Sequence, residues 1–463
     1  MKTYKDLLLY IILIMTSLTR NGYSIRKEIG NMDLIQSVKD ELTVKVENRM
    51  FDNVPASEYI LYRENDTKLY IPRVYGMKRF GVPDRIDYGK YCDTECENLV
   101  FAGKLREEQQ IQIDAFIEAV NDPCKRGGII SVKCGGGKSC MALYMACYLK
   151  RKTLIIVHKE FLANQFVDSI KKFIPTARIG IIKQNKVVVD NCDICISSVQ
   201  SLSMRDYPPE VLRQFYFVVV DEAHHMSAQV FSQALVKVST PVMMGLTATL
   251  KRADGLQRVF KWFLGEPVIK RKKDNDNDIK VHIKSFESDN HQFRDTITMW
   301  NGKVNHVQMI NKIASFEPRT DYIVECIMQY FEEYSNSKEK MLILSERKQL
   351  LKDIEKKLGD KLTVGYYVGG MKPDALKESE TKDVILATYA YSSEGLDIPT
   401  LTCELFATPA LNIEQSIGRI QRLKPDQREH TPVVIDIVDD FSIFHGKFNK
   451  RLQHYKKMKY IIE

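Results

Sequence analysis

The sequence predicts an α/β chain: two tandem doubly wound parallel-sheet domains, with a small domain appended in front of them. Three observations carry that expectation. Ile129 to Ser139, IISVKCGGGKS, is an apolar run that leads straight into three glycines and Lys-Ser. Two series of near-continuous apolar runs, one before and one after residue 270, alternate with helical spacers, as parallel strands covered on both faces require. Between them KRKKDNDND, from Lys270, has no apolar periodicity and reads as a linker.

At 463 residues, 44% hydrophobic and 28% charged, the chain has room for two or three packed domains. A net charge of +8 permits nucleic acid as a partner without requiring it. The ten cysteines are scattered through apparent strands and helices, which favours a reducing, intracellular compartment over a disulfide framework. Cys192 with Cys195 and Cys92 with Cys96 lack a second pair nearby, so no zinc is expected and they read as small buried hydrophobes.

Residues 1–31 read differently from the rest. Lys2 and Lys5 precede an apolar run from Leu7 to Met15, and Gly22 and Ser24 stand at cleavage-like spacing, which imitates a secretory signal. The run is too short to span a bilayer. Three readings fit: a start assigned too far upstream with Met32 as the first residue, a cleaved leader, or a docked helix. Asp6 beside the run and Arg20 near the cleavage point argue against export, and no membrane is expected as a partner.

Residues 32–100 are expected to form the small N-terminal domain, with LTVKV, EYILY and KLYIPRVYG as strands. Tyr70, Arg73, Tyr75, Lys78, Arg79 and Phe80 interleave basic and aromatic side chains. That composition suits backbone contact and base stacking, or an ordinary exposed strand pair.

Residues 101–270 form the first α/β domain. A helix from Leu105 through Val120 carries Gln109, whose amide can offer a donor and an acceptor to an adenine edge. Gly135, Gly136 and Gly137 let backbone N–H groups turn onto a polyphosphate, Lys138 reaches the terminal phosphates, and Ser139 can ligate Mg2+ at the helix start. Val132 stands where the full phosphate-loop pattern has glycine. Strands follow at TLIIV (153–157), DICIS (193–197), FVVV (217–220) and VMMGL (242–246). FVVV ends in Asp221-Glu222-Ala223-His224, two carboxylates where open α/β sheets bind ligands. Asp221 is fit to hold Mg2+, and Glu222 to orient and deprotonate a water. VMMGL ends in Thr247-Ala248-Thr249, hydroxyls fit to couple that site to neighbouring loops.

Residues 271–318 are expected to link and connect, and residues 319–463 to form a second α/β domain. Its elements are a helix at 321–334, MLILS (341–345), a helix at 349–358, TVGYYV (363–368), VILAT (384–388), LTCELFA (401–407) and VVIDIV (433–438). It has no phosphate loop of its own, which suggests a nucleotide clamped between the two layers. Arg419 and Arg422 in QSIGRIQR (415–422) lie three apart, the spacing of one helical face. They can neutralise charge on a transferring phosphoryl group. The basic tail 447–459, with Phe448, Leu452 and Tyr455 on one side, reads as a surface helix on this domain.

The set, in order, resembles the superfamily 2 helicases: Leu105-Arg106 with Gln109, CGGGKS, DEAH, LTAT, TYAYSSEGLDIP (388–399) and QSIGRIQR. Within it the chain is similar to the branch of the xeroderma pigmentosum group B repair helicase, phage branch-migration helicases and the transcript-release helicases of poxviruses and other large DNA viruses. VHKEFLANQF, LTATLKRADGL and GYYVGGMK resemble the viral group. The resemblance implies two RecA-like domains using ATP and Mg2+. It implies nucleotide contacts from Gln109, Gly135 to Ser139, Gly395 and Asp397, and catalysis by Lys138, Asp221, Glu222, Arg419 and Arg422. Ser198, Gln200 and Thr388 would lie along the nucleic acid backbone, with His224, Thr247, Thr249 and Gln415 coupling the two sites. The expected activity is ATP-dependent translocation and unwinding on DNA or DNA:RNA hybrids, in viral transcript release or repair, with viral transcription machinery as a partner. The alternative is an ATP-gated nucleic-acid clamp, or an RNA helicase without processive unwinding. Arg252-Ala253-Asp254 departs from the repair relative's Arg-Glu-Asp, which puts a duplex-opening role for that element in doubt.

Overall fold

The structure, a computed structural model, describes residues 15–46, 57–89, 95–132, 135–222, 228–248, 256–269, 279–334, 340–392, 396, 398, 400–411, 413–421, 423 and 427–463. The chain divides into two compact units, Met1–Arg271 and Lys272–Glu463.

The first unit opens with β1 (Thr16–Thr19), β2 (Gly22–Arg26), β3 (Thr43–Val46), β4 (Ser57–Ile60), β5 (Arg63–Glu64), β6 (Lys68–Ile71) and β7 (Arg85–Asp87). One sheet runs β5-β6-β2-β1-β7, and β3 and β4 pair separately. The segment read as leader-like therefore supplies two inner strands from residue 16 onward, and a boundary at residue 31 would cut this sheet. Leu18, Tyr23 and Ile25, all fully buried, are its share of the core; residues 1–14 lie outside the described residues.

The stretch KLYIPRVYG does not continue as a strand. After Pro72 the chain turns into the helix Arg73–Phe80. Arg73 is buried and donates to the carbonyls of Thr240 (3.4 Å) and Pro241 (3.0 Å), and the ring of Tyr75 meets Trp262 edge-on at 5.5 Å. Arg73 and Tyr75 of the basic-aromatic stretch thus pack against the first α/β domain, while Lys78 and Arg79 stay exposed.

That sheet comprises β8 (Gly127–Ser131), β9 (Thr153–Val157), β10 (Ile179–Lys183), β11 (Lys186–Val188), β12 (Ile194–Ser198), β13 (Phe217–Asp221) and β14 (Val242–Thr247). Its order is β11-β10-β12-β9-β13-β14-β8, with β11 antiparallel and the other pairs parallel. Alternation divides each run between two cores. Leu154, Ile156, Val218 and Val220 join the core shared with the N-terminal sheet, while Ile155, Val157, Phe217 and Val219 pack with Met141 and Met145 of the helix Lys138–Leu149. Ser131 sits opposite Thr247 and Asp221 opposite Leu246. The carboxyl ends of β8, β14 and β13 are therefore adjacent.

The second unit contains β15 (Lys280–Phe286), β16 (Lys340–Ser345), β17 (Val364–Tyr367), β18 (Val384–Thr388), β19 (Leu401–Phe406), β20 (Val433–Asp439) and β21 (Ile461–Ile462), in the order β17-β18-β16-β19-β20-β15-β21. Its pairs are parallel. Part of the expected connecting segment 271–318 is thus structural: β15 pairs with β20 along its whole length. Phe293, Met309, Ile310 and Ile313 from the two helices after it form a core with Phe444.

Several buried side chains in this sheet are polar, and Glu404 stands apart among them. Glu404 of β19 is fully buried, and neither carboxyl oxygen accepts a hydrogen bond among the described residues. The nearby Ser416 hydroxyl donates to the Ile413 carbonyl instead, at 3.0 Å. Burial pushes the Glu404 carboxyl up to about 8, against the opposing pull of Ser416 and Arg419. Between the ordinary value of 4.5 and about 8 the folded chain holds a proton that the unfolded chain has released. Its contribution is full below the lower value and is lost as pH rises toward the upper, at up to about 1.4 kcal/mol per pH unit. Glu404→Gln is expected to flatten this slope. Melting temperatures of both proteins from pH 5 to 8 check it, and parallel curves would show that Glu404 does not titrate in that range.

Candidate nucleotide site

Each part of the phosphate loop has a local cause. Val132, where glycine was expected, extends β8 by one bond, its N–H donating to the Thr247 carbonyl at 3.2 Å. Gly135 (φ +76°) and Gly137 (φ +79°) then take backbone angles that side chains disfavour. A Cβ on Gly137 would stand 2.0 Å from Nε2 of Gln109. Lys138 opens the helix directly after it, with Ser139 in the first turn.

Gln109, almost fully buried, braces this loop. Its Nε2 donates to the Gly136 carbonyl at 3.2 Å and its Oε1 accepts from the Arg106 N–H at 2.9 Å. One N–H and one lone pair of the amide are left without a partner among the described residues. Arg106 adds a bond to the Gly135 carbonyl at 3.2 Å. In the sequence Arg106 stood only as part of the motif with Gln109; its position three residues before Gln109, at the helix N-cap, was the available signal for this bond.

The carboxylates stand at the end of β13. Asp221 is buried, and its Oδ1 has no hydrogen-bond partner among the described residues. Burial first, then the charge of Glu222, pushes its carboxyl up to about 7, with Lys138 opposing. Glu222 turns the chain at φ +46°, and its Oε1 meets Nζ of Lys138 at 2.5 Å. Both side chains are mostly buried, 15% and 10% exposed respectively. Thr247 lies buried at the end of β14, whereas His224 and Thr249 fall outside the described residues.

Ser198 and Gln200 meet at the carboxyl ends of β12 and β9. Ser198 caps the helix Val199–Met204, accepting from the Ser201 N–H at 3.2 Å. Gln200 donates to the His158 carbonyl at 3.0 Å. Thr388, half-buried, ends β18 in the second unit.

The arginine segment differs from its helical reading. The helix Glu414–Ile417 stops at Gly418, its C-cap, and Arg419 sits in the following turn. Arg419 is buried, and its Nη1 donates to the Leu396 carbonyl at 2.5 Å. Arg422, Gly395, Asp397 and the side chain of Gln415 lie outside the described residues.

A family model described as "Type III restriction enzyme, res subunit" matches residues 102–252. The chain is 34% identical over 461 residues to a protein of Acanthamoeba polyphaga mimivirus named as ATP-dependent RNA helicase L396, covering 97% of this chain and 87% of that protein. It is 27% identical to helicase 161L of invertebrate iridescent virus 6, over 92% of this chain and 95% of that one. It is 25% identical to the African swine fever virus protein named as ATP-dependent RNA helicase QP509L, over 76% of this chain and 73% of that one. Against the crystal structure of T4 UvsW the identity is 17% and the TM-score 0.37, over 97% and 98% of the two chains. Among the described residues no helix is long and apolar enough to cross a membrane. The chain belongs to the superfamily 2 helicases, and it is an ATP-hydrolysing enzyme of that family.

Proposed function

We propose that the chain couples ATP hydrolysis to movement along DNA or DNA:RNA hybrids, opening them in viral transcript release or repair, as the DEAH-box branch with the repair and transcript-release helicases would. One observation carries this reading: Lys138, Asp221 and Glu222 converge at the carboxyl ends of β8 and β13, on either side of β14, with Lys138 and Glu222 in direct contact. Gln109 positions the adenine and the loop at once. Lys138 holds terminal phosphates, and Glu222 takes the proton of the attacking water. Arg419 and Arg422 supply the positive charge that the transferring phosphoryl group needs. Gly395 and Asp397 join the nucleotide contacts, Ser198, Gln200 and Thr388 follow the nucleic acid backbone, and His224, Thr247, Thr249 and Gln415 relay between them.

The donor set fits Mg2+. Asp221 presents a buried oxygen without a hydrogen-bond partner among the described residues, and the Ser139 hydroxyl stands at the loop's helix start. A bound Mg2+ would supply a Lewis acid on the phosphates there. Burial of Asp221 keeps that oxygen for the ion by excluding competing water.

Strand displacement on a DNA duplex, an RNA duplex and a hybrid, each with and without ATP, tests the reading. ATP-dependent displacement of the DNA or hybrid substrate is the expected result. Displacement of RNA duplex alone would move the chain to the activity named for L396 and QP509L. Hydrolysis without displacement of any substrate would leave an ATP-gated clamp.

A further inference from the structure

We propose that a cavity between the N-terminal sheet and the first α/β domain binds a backbone phosphate of nucleic acid, a contact additional to Ser198 and Gln200. This rests on the nucleic-acid reading above. The cavity has a volume of about 130 Å³, and Arg20, Arg63, Arg213 and Lys237 line it against one carboxylate, Asp206.

The cations are held in place largely by groups that carry no charge. Lys237 donates to the carbonyls of Ser203 (3.0 Å) and Arg205 (2.9 Å), Arg63 to that of Val236, and Arg20 to those of Tyr88 (2.7 Å) and Phe215 (2.8 Å). A carbonyl fixes the direction of a guanidinium or ammonium group but does not neutralise it. Among the described lining residues Asp206 is the one acid, and it pairs with Lys237 at 2.9 Å. Burial lowers the Arg63 pKa, and Asp206 only partly opposes it. The Ser239 hydroxyl on the same wall is buried, 8% exposed, and has no hydrogen-bond partner among the described residues. A positive cavity with an unused hydroxyl asks for a small anion with several acceptor oxygens, and planar guanidinium forks match phosphate.

The position separates this phosphate from the nucleotide. Phe215 and Ser239 precede β13 and β14, at the amino ends of those strands, whereas Asp221 closes the carboxyl end of β13. Five residues of strand put the two roughly 15 Å apart. Arg213 is exposed at the rim, so the cavity is open to a chain passing over the surface.

Arg213→Glu tests the site with little risk to folding. Affinity for duplex and single-stranded nucleic acid is measured from 50 to 300 mM salt, alongside ATP hydrolysis without nucleic acid. The expected result is severalfold weaker binding and a log-log salt slope shallower by about 1, with basal hydrolysis unchanged. Identical slopes would overturn the site. A second arm compares phosphate with chloride at matched ionic strength in thermal unfolding. Stabilisation of the wild type by phosphate, absent in Arg213→Glu and accompanied by unchanged nucleic acid binding, would assign the cavity to a free anion and overturn the polynucleotide. A wild type that binds no nucleic acid at any salt would overturn the proposed function itself, whereas a failure confined to the variant leaves that function standing.

Discussion

Glu222→Gln is expected to stop ATP turnover while leaving nucleotide binding intact or tighter. A glutamine amide cannot accept the proton of an attacking water, and losing a positioned general base costs roughly 10²–10⁴ in rate. Binding follows a different logic. Glu222 now holds Lys138 at 2.5 Å with both side chains mostly buried, so incoming phosphates must draw Lys138 away from a carboxylate. The variant removes that competitor and keeps the side-chain shape, so the backbone at φ +46° has no new reason to move. Lys138→Ala is the contrasting case: it should lose affinity and turnover together. Equilibrium titration with a fluorescent nucleotide, paired with phosphate release at saturating nucleic acid, separates the two. Wild-type hydrolysis by Glu222→Gln would place the base elsewhere.

The parts legible beforehand were those whose cause is local. FVVV, VMMGL and MLILS announce themselves because a strand buried on both faces needs an unbroken apolar run, and CGGGKS because a phosphate loop needs glycines beside a lysine. What escaped has its cause far along the chain. Gly22 and Ser24 looked like cleavage-site residues because what places them in β2 is its pairing with β6, more than forty residues later. The helix Arg73–Phe80 was read as strand because Arg73 finds its acceptors at Thr240 and Pro241. β15 was read as connection because KVHIKSF alternates polar and apolar residues, and its partner β20 lies some 150 residues away. The contact between Lys138 and Glu222 spans 84 residues; each had a role in the sequence, but their pairing did not. The spacing of Arg419 and Arg422 suggested one helical face, yet spacing alone did not register that Gly418 would end the helix.

Arg319→Ala is expected to give the largest loss of stability in the second unit. Arg319 stands in the first turn of the helix Glu317–Glu333 and is fully buried. Its Nε and Nη2 donate to the two carboxyl oxygens of Asp439 at 2.7 and 2.8 Å, and its Nη1 to the Ala407 carbonyl at 2.8 Å. Asp439 closes β20 and Ala407 follows β19, so one guanidinium ties two strand ends to a helix start. Removing it leaves a fully buried carboxylate without its counter-ion, a change that costs about 3–5 kcal/mol. Most of that penalty belongs to the stranded charge rather than to the bond itself. The double variant Arg319→Met with Asp439→Leu should therefore recover most of the loss, because well-packed apolar pairs often replace buried ion pairs at little cost. Lys357, which meets Glu317 and Asp321 on the surface of the same helix, offers the control: Lys357→Ala should leave the unfolding midpoint unchanged. Urea unfolding of the three variants, followed by a probe in the second unit, distinguishes these cases. If Arg319→Ala costs no more than Lys357→Ala, the buried pair does not hold the ends of β19 and β20 together.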